Sequence, residues 1–266
     1  MSTLTQDLTA ILRIYKESAS MSVSALSKSW QIVPATILAY FALVLISQLF
    51  SGLGMAGGFI IGIFYIAFLT FFYGWIKKVV NKQSLGMNSL IEFEWSLFSA
   101  IMSIGFILWI IDIVVSPFGK TPETAWIAAC FSLGLFIVFN AVPEIIYIRN
   151  YESVAALKYS FNFVKENWIE WFLPMLALLA PLVLGRPLSF LATLSGINPF
   201  SAGADPLLPA RFIFTQLSLI MGPSLGNIGV IIAIIVTIWF MLFRGILFTK
   251  LDGSSRRQRT YKSKFS

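Results

Sequence analysis

An all-α, polytopic transmembrane helix bundle of about six spans, with interfacial amphipathic helices beside it, is the fold class this sequence predicts. Three observations carry that expectation. Of 266 residues, 58% are hydrophobic and 12% charged, about half the charged share of an ordinary soluble domain. Six runs reach roughly the 20 apolar residues that a bilayer's hydrocarbon core requires. Threading those runs through a membrane puts 16 of the 19 Lys and Arg residues on one side.

Residues 1–30 read as an N-terminal interfacial helix. Leu4, Leu8, Ile11, Leu12 and Tyr15 share one face, Arg13, Lys16 and Glu17 the other. Trp30 then anchors the chain at headgroup level. The membrane domain, 31–250, holds spans near 32–50, 55–76, 97–116, 125–148, 169–186 and 228–249. Gly54, Gly58 and Gly62 form two small-xxx-small steps. Such steps let helix backbones approach, so this face is expected to pack on another span, or on a protein partner or second copy.

Between the fourth and fifth spans, 150–167 predicts another amphipathic helix at the interface. Val154, Leu157, Phe161, Val164 and Trp168 fall on one face, with Lys158, Asn162, Lys165 and Glu166 turned away. Trp168 and Trp171 are expected to sit as aromatic anchors. The segment 186–227 carries Pro187, Pro199, Pro206, Pro209 and Pro223. It is too broken for one span and too apolar for a solvated loop, so re-entrant or interfacial helices are expected. The tail, 251–266, places Arg256, Arg257, Arg259, Lys262 and Lys264 beyond the last span. It serves as a topology anchor or draws on anionic lipid headgroups, at about 1 kcal/mol per charge.

Positive charge stays in the cytoplasm, so both termini are expected there, in a multi-pass protein of a cell membrane. The first 25 or so residues lack the apolar core of a cleavable signal peptide. The single cysteine, Cys130, lies in an apolar run and is expected to be a small packing residue.

Ionisable groups inside spans are costly and are the default functional candidates. Glu144 and Arg244 fall at similar depth near the inner ends of the fourth and sixth spans, which predicts an ion pair. The alternative for Arg244 is snorkelling to the headgroups. Asn140, one turn from Glu144, is placed to add a hydrogen bond. Asp112, toward the outer end of the third span, has three readings: an ion or proton role, a residue facing a polar cavity, or an interfacial carboxylate near Lys120.

Histidine is absent, which excludes a Ser-His-Asp triad. No phosphate-cradling, zinc-protease, CxxC or nucleophile-elbow pattern occurs. No enzyme activity, cofactor, metal or nucleic-acid partner is expected. Two functions follow: a non-catalytic scaffold, assembly factor or accessory subunit of a membrane complex, or a permease for a small neutral or lipid-like solute. The broken 186–227 segment speaks for the second, because discontinuous helices surround transporter sites.

A weak internal similarity links Ala25-Leu26-Ser27-Lys28-Ser29-Trp30 before Pro34 to Ala156-Leu157-Lys158-Tyr159-Ser160 before Pro174. Duplication and shared membrane-entry physics both account for it. Ala156, Leu157, Lys158, Ser160, Phe161, Val164, Lys165, Asn167 and Trp168, after a span ending in Pro-Glu, also carry a family likeness. Over about 30 residues the pattern resembles bacterial six-span membrane proteins of mostly unassigned function, a module fused elsewhere to some glycerophosphodiester phosphodiesterases. The resemblance implies the six-span fold. It implies no activity, because no phosphodiesterase domain is present.

Overall fold

The computed structural model describes residues 2–185 and 205–253, and it is 87% helical, with no strand among the described residues. Among those residues, ten α-helices follow in order: α1 (Ser2–Lys28), α2 (Ile32–Phe50), α3 (Gly54–Val80), α4 (Met87–Ile91), α5 (Trp95–Val115), α6 (Pro122–Val138), α7 (Val142–Arg149), α8 (Ser153–Gly185), α9 (Ala210–Leu225) and α10 (Asn227–Leu251). Four helical stretches, 32–80, 87–118, 126–149 and 227–251, are long and apolar enough to cross a membrane. The first of these is a hairpin of α2 and α3.

Local chemistry sets each break. The α2–α3 hairpin turns at Gly54, whose φ of +59° would strain any residue with a Cβ. Pro143 has no N–H to give and its ring crowds the carbonyl four residues back, so α6 ends at Val138 and α7 starts afresh at Val142. Asn150 closes α7 in the left-handed conformation, a role that short polar side chains tolerate. α8 holds both the expected interfacial helix and the expected fifth span, separated by a kink at Asn167 (φ −124°, ψ 21°). Gly226, at φ +53°, reverses the chain between α9 and α10.

The core lies where α3, α5, α7 and α10 meet, with Tyr73, Ile76, Ile101, Ile104, Ile145, Tyr147, Phe240 and Leu247 all buried. α10 is the hub: α1 packs along it and α9 runs antiparallel beside it. Lys77–Glu94, Lys78–Glu92, Arg149–Asp252 and Lys250–Glu17 ion pairs gather at the end where α3, α7 and α10 finish.

Several sequence expectations are corrected here. Val154, Phe161 and Trp168 of the amphipathic face are exposed, while Ala156, Ser160, Phe163 and Asn167 turn inward with Leu157 and Val164. In α1, Leu12 is exposed and Ser18 and Ser22 are buried. The reason is common to both. Lipid solvates large apolar side chains as well as a protein core does, so packing selects small residues that let helices approach.

The glycine face is corrected as well. A Cβ on Gly58 or Gly62 would meet nothing within 4 Å, so neither supports a tight helix contact within the chain. Close approach occurs one residue earlier in the turn, at Gly57, where a Cβ would fall 1.9 Å from the Phe50 carbonyl oxygen. Cys130 is exposed on α6 and packs in no core. The expected segment 186–227 is described from residue 205 onward, and there it contains α9. Its first portion, and the basic tail beyond Gly253, lie outside the described residues.

Candidate functional site

Among the described residues, Glu170 of α8 is buried, and two larger charged clusters form inside the bundle. The first forms because the Pro143 break leaves Asn140 between two helices, where its backbone carbonyl and side chain both face α10. Arg244 of α10 donates Nε to Glu144 Oε1 at 2.8 Å and Nη2 to Glu144 Oε2 at 2.9 Å, a bidentate pair. Its Nη1 donates to Asn140 Oδ1 at 2.7 Å and its Nη2 to the Asn140 carbonyl at 2.6 Å. The guanidinium lies 4.5 Å from the Trp171 ring centroid, and Trp171 Nε1 donates to Asn140 Oδ1 at 3.0 Å. Arg244 is 3% exposed and Glu144 is fully buried, so Arg244 does not snorkel. Trp171, expected at the headgroup interface, is instead 3% exposed. Its indole N–H has a buried acceptor and its face a buried cation, and together these outweigh the interface. Trp30 and Trp168 stay exposed, at 63% and 61%.

This first centre is closed. Tyr147 and Tyr73 pack beside it with ring centroids 5.6 Å apart, and Gly245 leaves the Tyr147 hydroxyl room to approach the α10 backbone. Each nitrogen of the Arg244 guanidinium donates to Glu144 or Asn140, so the cluster joins α6, α7, α8 and α10 without presenting a reactive atom.

The second centre is one that residue spacing does not single out. The chain before α9, from Asp205 to Pro209, enters the bundle: the Tyr73 hydroxyl donates to the Leu207 carbonyl, and Leu207 and Ala210 are buried. α9 therefore begins beside the middle of α10. At its start Tyr65 donates to Asp205 Oδ2 at 2.5 Å, and Asp205 Oδ1 accepts the Leu207 N–H at 2.8 Å. Arg211 follows, 3.8 Å from Asp205 and 5.9 Å from the Tyr65 ring centroid. The available signal is Asp205 and Arg211 bracketing Pro206 and Pro209 in an otherwise apolar stretch. Counting Lys and Arg across the spans treats Arg211 as a loop residue outside the membrane. The structure sets it in the wall of one cavity with Ile238, a residue near the midpoint of α10.

Arg211 borders a cavity of about 430 Å³ between α2, α3, α9 and α10, within the range of ordinary ligand pockets. Its walls are mainly Tyr40, Leu43, Ile61, Phe68, Phe214 and Ile234, with Gly58 and Gly62 widening one side. Asp112 is half-buried on α5 and is not part of this wall. A cavity reaching Asp112 is what a permease reading of the sequence expects, and the cavity lies elsewhere. The side chain of Lys120 lies outside the described residues.

At the charged end of the bundle, hydrogen bonds from Lys250 and then Arg13 hold Glu17 below the usual carboxylate range. Burial, and then a hydrogen bond to Asp252, push the Tyr159 hydroxyl up to about 12.

Among the described residues, no group of three His, Cys, Asp or Glu side chains is placed to hold a metal ion. No protein-family model, no curated protein and no solved structure matches this chain.

Proposed function

We propose that this chain is a non-catalytic, multi-pass membrane protein that admits a small lipid-like solute to the cavity between α2, α3, α9 and α10, as a permease would. The observation that carries the reading is helix α9, which starts inside the bundle and sets Arg211 in the wall of that cavity, with Asp205, from the chain just before the helix, 3.8 Å away. A charge inside the bundle is costly and is kept where it serves a pathway or a ligand. Broken helices ending at mid-membrane are how transporter folds present such groups. The closed Glu144–Arg244 centre then acts as the fixed half of the bundle. The basic ends of α3, α7 and α10 face the cytoplasm, in a cell membrane, with α5, α6 and α8 completing a six-span fold like that implied by residues 156–168.

The test is to fill the cavity. Gly62→Phe should keep the wild-type melting temperature in detergent and abolish saturable uptake of a fluorescent lipid analogue into proteoliposomes. Wild-type uptake no faster than that of protein-free vesicles would reject the permease.

A scaffold or accessory subunit is the second reading, favoured by one observation: Gly54 and Gly58 are exposed, with no neighbour within 4 Å of a built Cβ. That face would seat a protein partner or a second copy of the chain. Co-purification in mild detergent, lost in Gly58→Leu but retained in Gly62→Phe, would favour it.

A further inference from the structure

We propose that Arg211 is the headgroup reader of this cavity, and that its ligand is a single-chain amphiphile ending in a carboxylate or phosphate. This deepens the solute-binding reading and rests on it.

Three observations lead there. First, the serine and threonine hydroxyls in the wall donate to carbonyls of their own helices, and the Tyr65 hydroxyl donates to Asp205. Thr36 donates to the Ile32 carbonyl at 2.8 Å, Ser47 to Leu43 at 2.8 Å and Thr237 to Ala233 at 2.7 Å. The wall around the chain of a ligand is therefore apolar in effect, although its composition includes hydroxyl residues.

Second, Arg211 is the one charged side chain lining the cavity among the described residues. Asp205, at 3.8 Å, is beyond hydrogen-bonding reach of its guanidinium. Asp205 is itself held by Tyr65 and the Leu207 N–H and is not part of the wall. Its charge offsets part of the cost of Arg211 without occupying the fork of donors. Tyr65 engages the guanidinium through its hydroxyl and lies with its ring centroid 5.9 Å away, which takes up part of the fork and leaves the remaining donors to the cavity. A planar guanidinium with donors to spare matches a carboxylate or phosphate in two parallel bonds.

Third, the position suits a chain with its head at Arg211. Arg211 shares the cavity wall with Tyr65 and Ile238, and the same wall includes Leu43, Ser47 and Gly58 of α2 and α3. A hydrocarbon tail would lie along that wall, beside a hairpin whose outer faces are exposed.

The experiment measures equilibrium binding of radiolabelled oleate, oleyl alcohol and acetate to the protein in phosphatidylcholine nanodiscs. Oleate should bind saturably, oleyl alcohol at least about tenfold more weakly, and acetate not at all. Arg211→Gln should weaken oleate about tenfold, the worth of one charge-assisted hydrogen bond, and leave oleyl alcohol unchanged. Arg211→Lys should recover part of the loss. A phosphate head is tested in parallel with hexadecyl phosphate, which should show the same dependence on Arg211. Gly62→Phe should block every probe that enters the cavity. Equal binding of oleate and oleyl alcohol, both blocked by Gly62→Phe, would overturn the headgroup role while leaving a cavity for neutral lipid. Unchanged oleate binding in an Arg211→Gln protein that elutes and melts as wild type would overturn it too. Absence of saturable binding by any probe would remove the cavity reading itself.

Discussion

The two arginines of this bundle differ in how much of their chemistry is used internally. Arg244 meets a carboxylate, an amide side chain, a backbone carbonyl and an indole face, and is buried on all sides. Arg211 has one carboxylate at a distance and the hydroxyl and ring of Tyr65, and 41% of its side chain is accessible. A buried charge held at every nitrogen acts as a fastener, and removing one partner strands the other in a low dielectric. A charge with donors to spare beside a cavity contributes little to holding the bundle together. The contrast separates structural from functional polarity inside one apolar fold.

The sharpest way to break that contrast is to remove the charge from each. Arg244→Gln, or Glu144→Gln, should lower unfolding free energy by about 3–5 kcal/mol, read as loss of folded protein on a denaturant titration in detergent. Arg211→Gln should change it by less than about 1 kcal/mol, as for other weakly paired accessible charges. Equal losses at the two sites would erase the distinction. Reversing Glu144 and Arg244 together should recover part of the expression lost in either single reversal. Recovery will be partial, because Asn140 and Trp171 are placed for a guanidinium at position 244.

The same contrast extends to packing. A Cβ on Gly245 would come within 2.7 Å of the Tyr147 hydroxyl oxygen and 2.8 Å of Val80 Cγ2. Gly245→Ala should therefore cost about 1–3 kcal/mol through overpacking, measured by the same titration. Gly62→Ala, facing the cavity, should stay within about 0.5 kcal/mol of wild type. Trp171→Phe keeps an aromatic ring and deletes the N–H. Its cost on that titration should be about 1 kcal/mol, the net worth of one buried hydrogen bond.

The smallest effect concerns pH. Glu17 has its pKa lowered by Lys250 and Arg13, so its bonds favour the folded state above its unfolded pKa. That contribution fades as pH falls through the folded value, below the ordinary carboxylate range. Amide hydrogen exchange across α1 should accelerate, relative to the intrinsic rate, on acidification to about pH 3, where carboxylates of ordinary pKa are protonated. Glu17→Gln should show that faster exchange already near neutral pH, with no further change in acid.

How much of this is legible in the sequence follows residue type. Glu144, Asn140 and Arg244 stand out because polar residues in membrane-length apolar runs are rare, and their similar depth can be counted from the span ends. Gly54 is visible as a special residue, but its use in a turn depends on φ, which spacing does not report. The expected apolar face of α8 is divided, with Val154 and Phe161 exposed and Leu157 and Val164 buried, and in α1 Leu12 is exposed. Helical periodicity finds the apolar face, and in lipid that face has two equally good neighbours. Trp171 has the residue type of an interfacial anchor, whereas the acceptor on Asn140 and the cation on Arg244 decide its place.

By itself the sequence determined the solvent of this protein. A chain with this little charge forms helices, because lipid supplies no partners for backbone N–H and C=O groups. The breaks at Pro143, Gly54 and Gly226 are local backbone effects, yet the sequence reading runs 125–148 as one span, and only the structure divides it into α6 and α7. Tertiary structure alone decided which charge became a fastener and which was left facing a cavity. That outcome depends on what α9 and α10 bring alongside Arg211 and Arg244, and no local pattern records the identity of a neighbour across the bundle.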